Sequence, residues 1–166
     1  MKKKALFLDR DGVILNDENC YYIYKPEHYK INKEIIENLA LISGKGYIFI
    51  VISNQSGIAK GLYSKCDTDQ INKMLQNDLQ KHGISVTEFY YCTHHPDIEN
   101  CFCRKPGSLL IEKAIARFGI DRTKSFFIGD NNSDIEAAAA AGLSPYRIRS
   151  NEDITSVCRQ IIQISS

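Results

Sequence analysis

The sequence of 166 residues predicts an α/β fold: a doubly wound parallel sheet with helices on both faces. Three observations point there. Short apolar runs recur at Lys4–Leu8, Tyr47–Ile52, Glu88–Cys92, Ser125–Ile128 and Pro145–Ile148, as strands buried on both faces require. Stretches with helical apolar spacing separate these runs, which suits right-handed crossovers. Several runs end in polar residues, at the strand ends where open α/β sheets bind ligands.

The elements follow in order. Lys4 to Leu8 is the first strand and runs into Asp9-Arg10-Asp11-Gly12. Asn16 to Ile31 is irregular and carries four tyrosines. Its Tyr21 to Tyr29 portion reads as a substrate loop or as packed surface. The next helix spans Lys33 to Gly44, with Asn32 as N-cap and Ile35, Ile36, Leu39 and Ile42 as its apolar stripe. Tyr47 to Ile52 is a β-branched and aromatic strand that ends in Ser53-Asn54-Gln55-Ser56-Gly57. A helix from Thr68 to His82 is capped by Asp67 with Gln70 and stopped by Gly83. The strand Glu88 to Cys92 opens a loop rich in cysteine and histidine that ends at Lys105-Pro106. A helix from Leu109 to Phe118 stops at Gly119, and the strand Ser125 to Ile128 delivers Gly129-Asp130. Ser133 and Glu136 cap a helix from Ile135 to Ala141; the strand Pro145 to Ile148 and a helix from Ile154 to Ile164 complete the chain.

This length reads as one domain over residues 1–166. A net charge of +1 provides no global field to draw in nucleic acid or an acidic membrane. No apolar run approaches the ~18–20 residues of a membrane span, and the apolar segment after Lys2-Lys3-Lys4 is too short for a signal peptide. The expectation is a cytoplasmic protein. Six cysteines in a reducing compartment read as metal ligands or buried thiols rather than disulfides. Cys20, Cys66 and Cys158 are scattered and read as plain small side chains.

Parallel strands bring Asp9, Asp11, Ser53, Asn54, Lys105, Asp130 and Asp134 to one edge of the sheet. Two acids two residues apart on a strand share a face, and held that close they need a cation or a shared proton. The set of acids, a hydroxyl and an ammonium describes a Mg²⁺ site beside a phosphate site. An aspartate there can also attack phosphorus. In the loop, Cys92, His94, Cys101 and Cys103 offer the thiolate and imidazole donors of a closed, structural Zn²⁺ site, with His95 as the alternative to His94. Such a clip would fix a loop with little core of its own and present Arg104 and Lys105 to a phosphate.

The order Asp-x-Asp-Gly, Ser-Asn, Lys and Gly-Asp-x-x-x-Asp resembles the haloacid dehalogenase superfamily of phosphohydrolases. The resemblance implies a Rossmann-like sheet, with Asp9 as nucleophile and Asp11 as acid and base. Ser53 and Lys105 would hold the phosphoryl group. Asp9, Asp130 and the carbonyl of Asp11 would hold Mg²⁺, with Asp134 supporting them from outside. The gaps between these motifs are too short for a folded cap domain, so the predicted fold is capless and carries a zinc-binding loop. Tyr22–Glu27, Ser53–Gly61 and Cys101–Pro106 are similar to the branch that contains the D,D-heptose 1,7-bisphosphate 7-phosphatases and the histidinol-phosphate phosphatases. That similarity implies that Arg10, Asn54, Gln55, Gly57, Lys60 and Arg104 bind substrate, a small phosphorylated sugar, in a monomer without nucleic-acid or membrane partners. Histidinol phosphate is the alternative, with Asp17, Glu18 or Glu27 to meet its ammonium. Three features depart from the branch: Lys60 where arginine is common, Asn131 where lysine is common, and a short segment after Pro106. A receiver-like signalling module also clusters acids, a hydroxyl and a lysine, but Asp11 argues for hydrolysis over a lasting phospho-aspartate. A binding protein with a dead site would lack one of these residues, and none is missing.

Overall fold

The computed structural model describes residues 2–164. Five strands, β1 (Lys4–Leu8), β2 (Tyr47–Asn54), β3 (Val86–Cys92), β4 (Phe126–Gly129) and β5 (Ser144–Arg147), form one sheet in the order β3-β2-β1-β4-β5. Every pairing is parallel, with Leu6 facing Phe49 on one side and Phe126 on the other. The helices are α1 (Ile35–Ser43), α2 (Lys65–Gln80), α3 (Leu109–Phe118), α4 (Asn132–Ala140) and α5 (Thr155–Ile164).

The pleat divides the core in two, because successive strand side chains point to opposite faces. Leu6, Leu8, Phe49, Val51 and Ile128 meet Ile35, Leu39 and Ile42 of α1, Ile71 and Leu75 of α2, and Val157 and Ile161 of α5. Ala5, Phe7, Ile50, Ile52 and Phe127 meet Ile111 and Ile115 of α3 and the small face of Ala137 and Ala138 on α4. Strand β1 is therefore central and dry, and the polar groups that follow it emerge from the middle of the sheet. The chain leaves β1 in one direction through β2 and β3 and in the other through β4 and β5, which opens a crevice above β1.

Between Asp11 and Ser53 the chain holds one 3₁₀ turn, Pro26–His28, and α1; between Ser53 and Lys105 it holds α2 and β3. No cap domain covers the sheet among the described residues. No described helix is long and apolar enough to cross a membrane.

Three helix starts differ from the sequence reading. Asn32 does not cap α1: Glu34 takes that position at φ 63°, with no side-chain cap. Asn32 is buried instead, donating to the Val13 carbonyl and accepting from the Asn16 amide. The asparagine thus serves the backbone of the buried loop before the helix. Helix α2 begins three residues early, with Ser64 as N-cap and Asp67 as its reciprocal partner. Helix α4 likewise begins early, with Asn131 as N-cap and Asp134 as its partner, not Ser133 with Glu136. In both, an aspartate does the reach-back expected of a longer side chain, Gln70 in α2 and Glu136 in α4, and the box sits two or three residues earlier.

Candidate active site

Asp9 is the first residue beyond β1, and its N–H donates to the Ile128 carbonyl, continuing the ladder with β4. Its carboxylate is anchored by the Arg10 N–H at 2.7 Å. Lys105 reaches in from the end of the Cys/His loop and is 2% exposed. Its Nζ lies 3.0 Å from Asp9 Oδ1 and 2.7 Å from Asp134 Oδ1, and donates to the Ile52 carbonyl at 2.7 Å. Burial alone would pull this ammonium down, but the carboxylates of Asp9 and Asp134 hold it above its ordinary value. Asn54 ties the two loops together: its Nδ2 donates to the Lys105 carbonyl and its Oδ1 accepts the Lys105 N–H, both at 3.1 Å.

These groups line a cleft of about 290 Å³, walled by Asp9, Asp11, Ser53, Asn54, Arg104, Lys105, Asp130 and Asp134. Oxygens of Asp9, Asp130 and Asp134 fall within 4.8 Å of one another. Burial raises the Asp9 carboxyl well above the usual range, against the pull of Lys105; the Asp134, Asp11 and Asp130 charges raise it further. Burial and then the Asp134 charge push Asp130 up to about 6. The five carboxylates of the cleft, Asp9, Asp11, Asp17, Asp130 and Asp134, face Lys105, Arg104 and the Arg10 fork on Asp11, which leaves two negative charges uncompensated when all are ionised. An all-oxygen donor set with that excess fits a hard divalent cation such as Mg²⁺. Gly12 makes the close approach possible: at φ +78°, a Cβ there would sit 2.6 Å from Asp130 Oδ2 and 2.7 Å from Ser150 Oγ.

The Cys/His loop gathers its four donors in the same way. Cys92 Sγ lies 3.7 Å from Cys101 Sγ and 3.3 Å from Cys103 Sγ, and His94 Nδ1 is 3.5 Å and 3.2 Å from the sulfurs of Cys92 and Cys103. Ligands at ~2.3 Å from a tetrahedral Zn²⁺ stand about 3.7 Å apart, so the cluster has the size and donor set of a zinc site. His95 turns away, with Nδ1 accepting the Asp97 N–H. Glu99 Oε1 lies 3.8 Å from His94 Nε2, on the far side of the ring from the thiols.

Asp9, Asp11, Ser53, Asn54, Arg104, Lys105, Asp130 and Asp134 thus meet in one cleft, while Arg10, Gln55, Gly57 and Lys60 do not line it. Arg10 is 1% exposed and engaged through all three nitrogens: Nε and Nη2 fork onto Asp11 Oδ1 and Oδ2, Nη2 also donates to the Ile23 carbonyl, and Nη1 to Asn72 Oδ1. Gln55 is equally buried. Lys60 stands at the rim, 3.2 Å from the Tyr22 hydroxyl. The tyrosine segment divides: Tyr21 and Tyr22 line the cleft, whereas Tyr24 stacks on Tyr63 and Tyr29 donates to Asp78. Of the candidate anions Asp17, Glu18 and Glu27, only Asp17 lines the cleft, held by Ser150 and Asn151 from the far end of the chain. Tyr63, Ser150 and Asn151 carried no local signal, because their roles depend on contacts between segments distant in sequence.

Residues 102–156 match the HAD-hydrolase-like family. The chain is 38% identical over 148 residues to the D-glycero-alpha-D-manno-heptose-1,7-bisphosphate 7-phosphatase of Photorhabdus laumondii, covering 86% of this chain and 80% of that one. It is 42% identical over 139 residues to the D-glycero-beta-D-manno-heptose-1,7-bisphosphate 7-phosphatase of Helicobacter pylori, covering 83% and 79%. The crystal structure of D,D-heptose 1,7-bisphosphate phosphatase from B. bronchiseptica, complexed with magnesium and phosphate, matches with a TM-score of 0.87 at 26% identity, over 97% of this chain and 99% of that one. With this sheet order, this cleft and relatives of this identity along most of its length, the chain belongs to the haloacid dehalogenase-like phosphatases, in the family of the heptose-1,7-bisphosphate 7-phosphatases.

Proposed function

We propose that the chain is one catalytic domain that removes the 7-phosphate of D-glycero-D-manno-heptose 1,7-bisphosphate, with Mg²⁺, through an aspartyl-phosphate on Asp9. The observation that carries the chemistry is the Lys105 ammonium between Asp9 and Asp134, with Ser53, Asn54 and Asp130 around the same cleft. The names of the relatives carry the substrate, and because they include both anomers they support either.

Asp9 attacks phosphorus, forming an O–P bond as the bond to the sugar oxygen breaks. Asp11, on the cleft wall, gives that oxygen a proton. Asp11 then takes a proton from water, which attacks phosphorus and releases phosphate and the free Asp9 carboxylate. Ser53 and Lys105 bind the phosphoryl oxygens where negative charge gathers. Asp9, Asp130 and the Asp11 carbonyl would hold Mg²⁺, which would supply further neutralisation of those oxygens. Asp134 acts from outside this shell, since one oxygen pairs with Lys105 and the other accepts the Asn131 N–H. Arg104, which lines the cleft, and Lys60 at its rim suit the second phosphate; as a point charge, Lys60 holds it less tightly than a guanidinium fork would. The zinc loop sets Arg104 and Lys105 in place and takes no part in the chemistry.

The test is Mg²⁺-dependent phosphate release from both anomers of the heptose bisphosphate, histidinol phosphate, fructose 1,6-bisphosphate and an aryl phosphate. A preference for the heptose supports the reading. A preference for histidinol phosphate, whose ammonium Asp17 could meet, would replace the substrate and keep the mechanism.

A further inference from the structure

Gln55 is 1% exposed and does not line the cleft, so a substrate cannot touch it. Its amide nevertheless bridges two groups that do. Nε2 donates to Asp11 Oδ2 at 2.9 Å and to Ser53 Oγ at 2.7 Å. Oε1 accepts the Tyr63 hydroxyl at 2.7 Å. The partners fix which way the amide points, because a carboxylate needs a donor and only Nε2 supplies one. Tyr63 is itself tightly seated. Its ring stacks on Tyr24 at 4.9 Å and lies 5.6 Å from Tyr22. Gly57 makes room for it, since a Cβ at that position would come within 2.1 Å of the ring. On the other side of Asp11, the Arg10 fork fixes both carboxylate oxygens.

We propose that Gln55, oriented by Tyr63, is a positioning residue that holds Asp11 and Ser53 in one frame, with Arg10 as the second jaw of the clamp. This assignment rests on the phosphatase reading above and moves Gln55 and Arg10 from substrate contact to support. Because Ser53 Oγ accepts from Gln55, its own O–H is left to donate into the cleft, toward a phosphoryl oxygen. Because Asp11 is gripped by Arg10 and Gln55, its carboxylate stays on the cleft wall instead of turning to solvent. The stacked tyrosines of the first loop thereby connect the rim of the cleft to the acid and base at its floor.

The clamp predicts a particular kinetic signature. A misplaced Asp11 protonates the leaving oxygen poorly, which slows a sugar phosphate more than an aryl phosphate, whose oxygen leaves without help. Gln55→Met keeps the volume and removes the amide; kcat on the sugar phosphate should fall about 30-fold with KM within about threefold, and the fall on the aryl phosphate should be smaller. Tyr63→Phe keeps the ring packing and should show the same pattern more weakly. A crystal structure of Gln55→Met should show the Asp11 carboxylate or the Ser53 hydroxyl displaced. An equal loss on the two leaving groups, a loss confined to KM, or Asp11 and Ser53 unmoved in that structure would overturn the clamp. Failure of the wild-type protein to hydrolyse either substrate would instead remove the phosphatase reading, and the crystal comparison still decides the clamp.

Discussion

The carboxylate cleft and the Cys/His loop are both clusters of metal-ligating side chains, yet they are built in opposite ways. The cleft hangs from the ends of β1, β2 and β4, which are locked by ladder hydrogen bonds and a dry core on both faces. Its lysine is already in place, so the site is assembled by the fold, and its excess negative charge is a strain on the fold that a cation relieves. The loop from Cys92 to Lys105 contributes only Cys92 and Lys105 to the buried interior, while Ile98 and Phe102 are exposed. Its four donors are held close together with little core around them. The two clusters meet at Lys105, which ends the loop and enters the cleft.

The comparison breaks most sharply at Asp9. Asp9→Asn should lower turnover by at least about 10³-fold, because the amide cannot form the phosphoenzyme, while the melting temperature holds or rises as one buried negative charge is removed. Lys105→Met removes the counter-charge of two buried carboxylates; it should cost about 3–5 kcal/mol in denaturant unfolding without metal, and less with Mg²⁺ present. The loop should respond differently. Metal analysis should find one zinc per chain, and Cys101→Ser should lower kcat/KM about 10-fold by loosening Arg104 and Lys105, while Asp9 and Asp130 keep their affinity for Mg²⁺. The smallest effect is one of pH. Asp130, raised to about 6, binds its proton more tightly when folded than when unfolded. In the metal-free protein this stabilisation is full below about pH 4 and is lost as pH rises through 6, by about 1.4 kcal/mol per unit at most. Saturating Mg²⁺ should reverse that slope, and Mg²⁺ affinity should weaken as pH falls below 6. Thermal melts across this range with and without Mg²⁺ check both signs.

What was legible in the sequence follows the same division. The strand ends could be read because short apolar runs followed by Asp9, Ser53 and Asp130 reflect a periodicity that packing enforces. The gathering of Cys92, His94, Cys101 and Cys103 could be read because ligand spacing within one short segment is itself geometry. The helix starts at Ser64 and Asn131 were displaced, because Asp67 and Asp134 compete with Gln70 and Glu136 for the reach-back and only the backbone shows which wins. Arg10 and Gln55 sit among the motifs, yet their inward orientation depends on Asn72, Ile23 and Tyr63, which come from other segments. Asp17 reaches the cleft only because Ser150 and Asn151 hold it across the fold.

The most direct measurement is a rapid acid quench of the protein turning over substrate with a radiolabelled 7-phosphate in the presence of Mg²⁺. The account predicts transient protein-bound label that hydroxylamine releases, as an acyl phosphate requires, and none in Asp9→Asn. Full turnover without bound label, or label retained by Asp9→Asn, would contradict it.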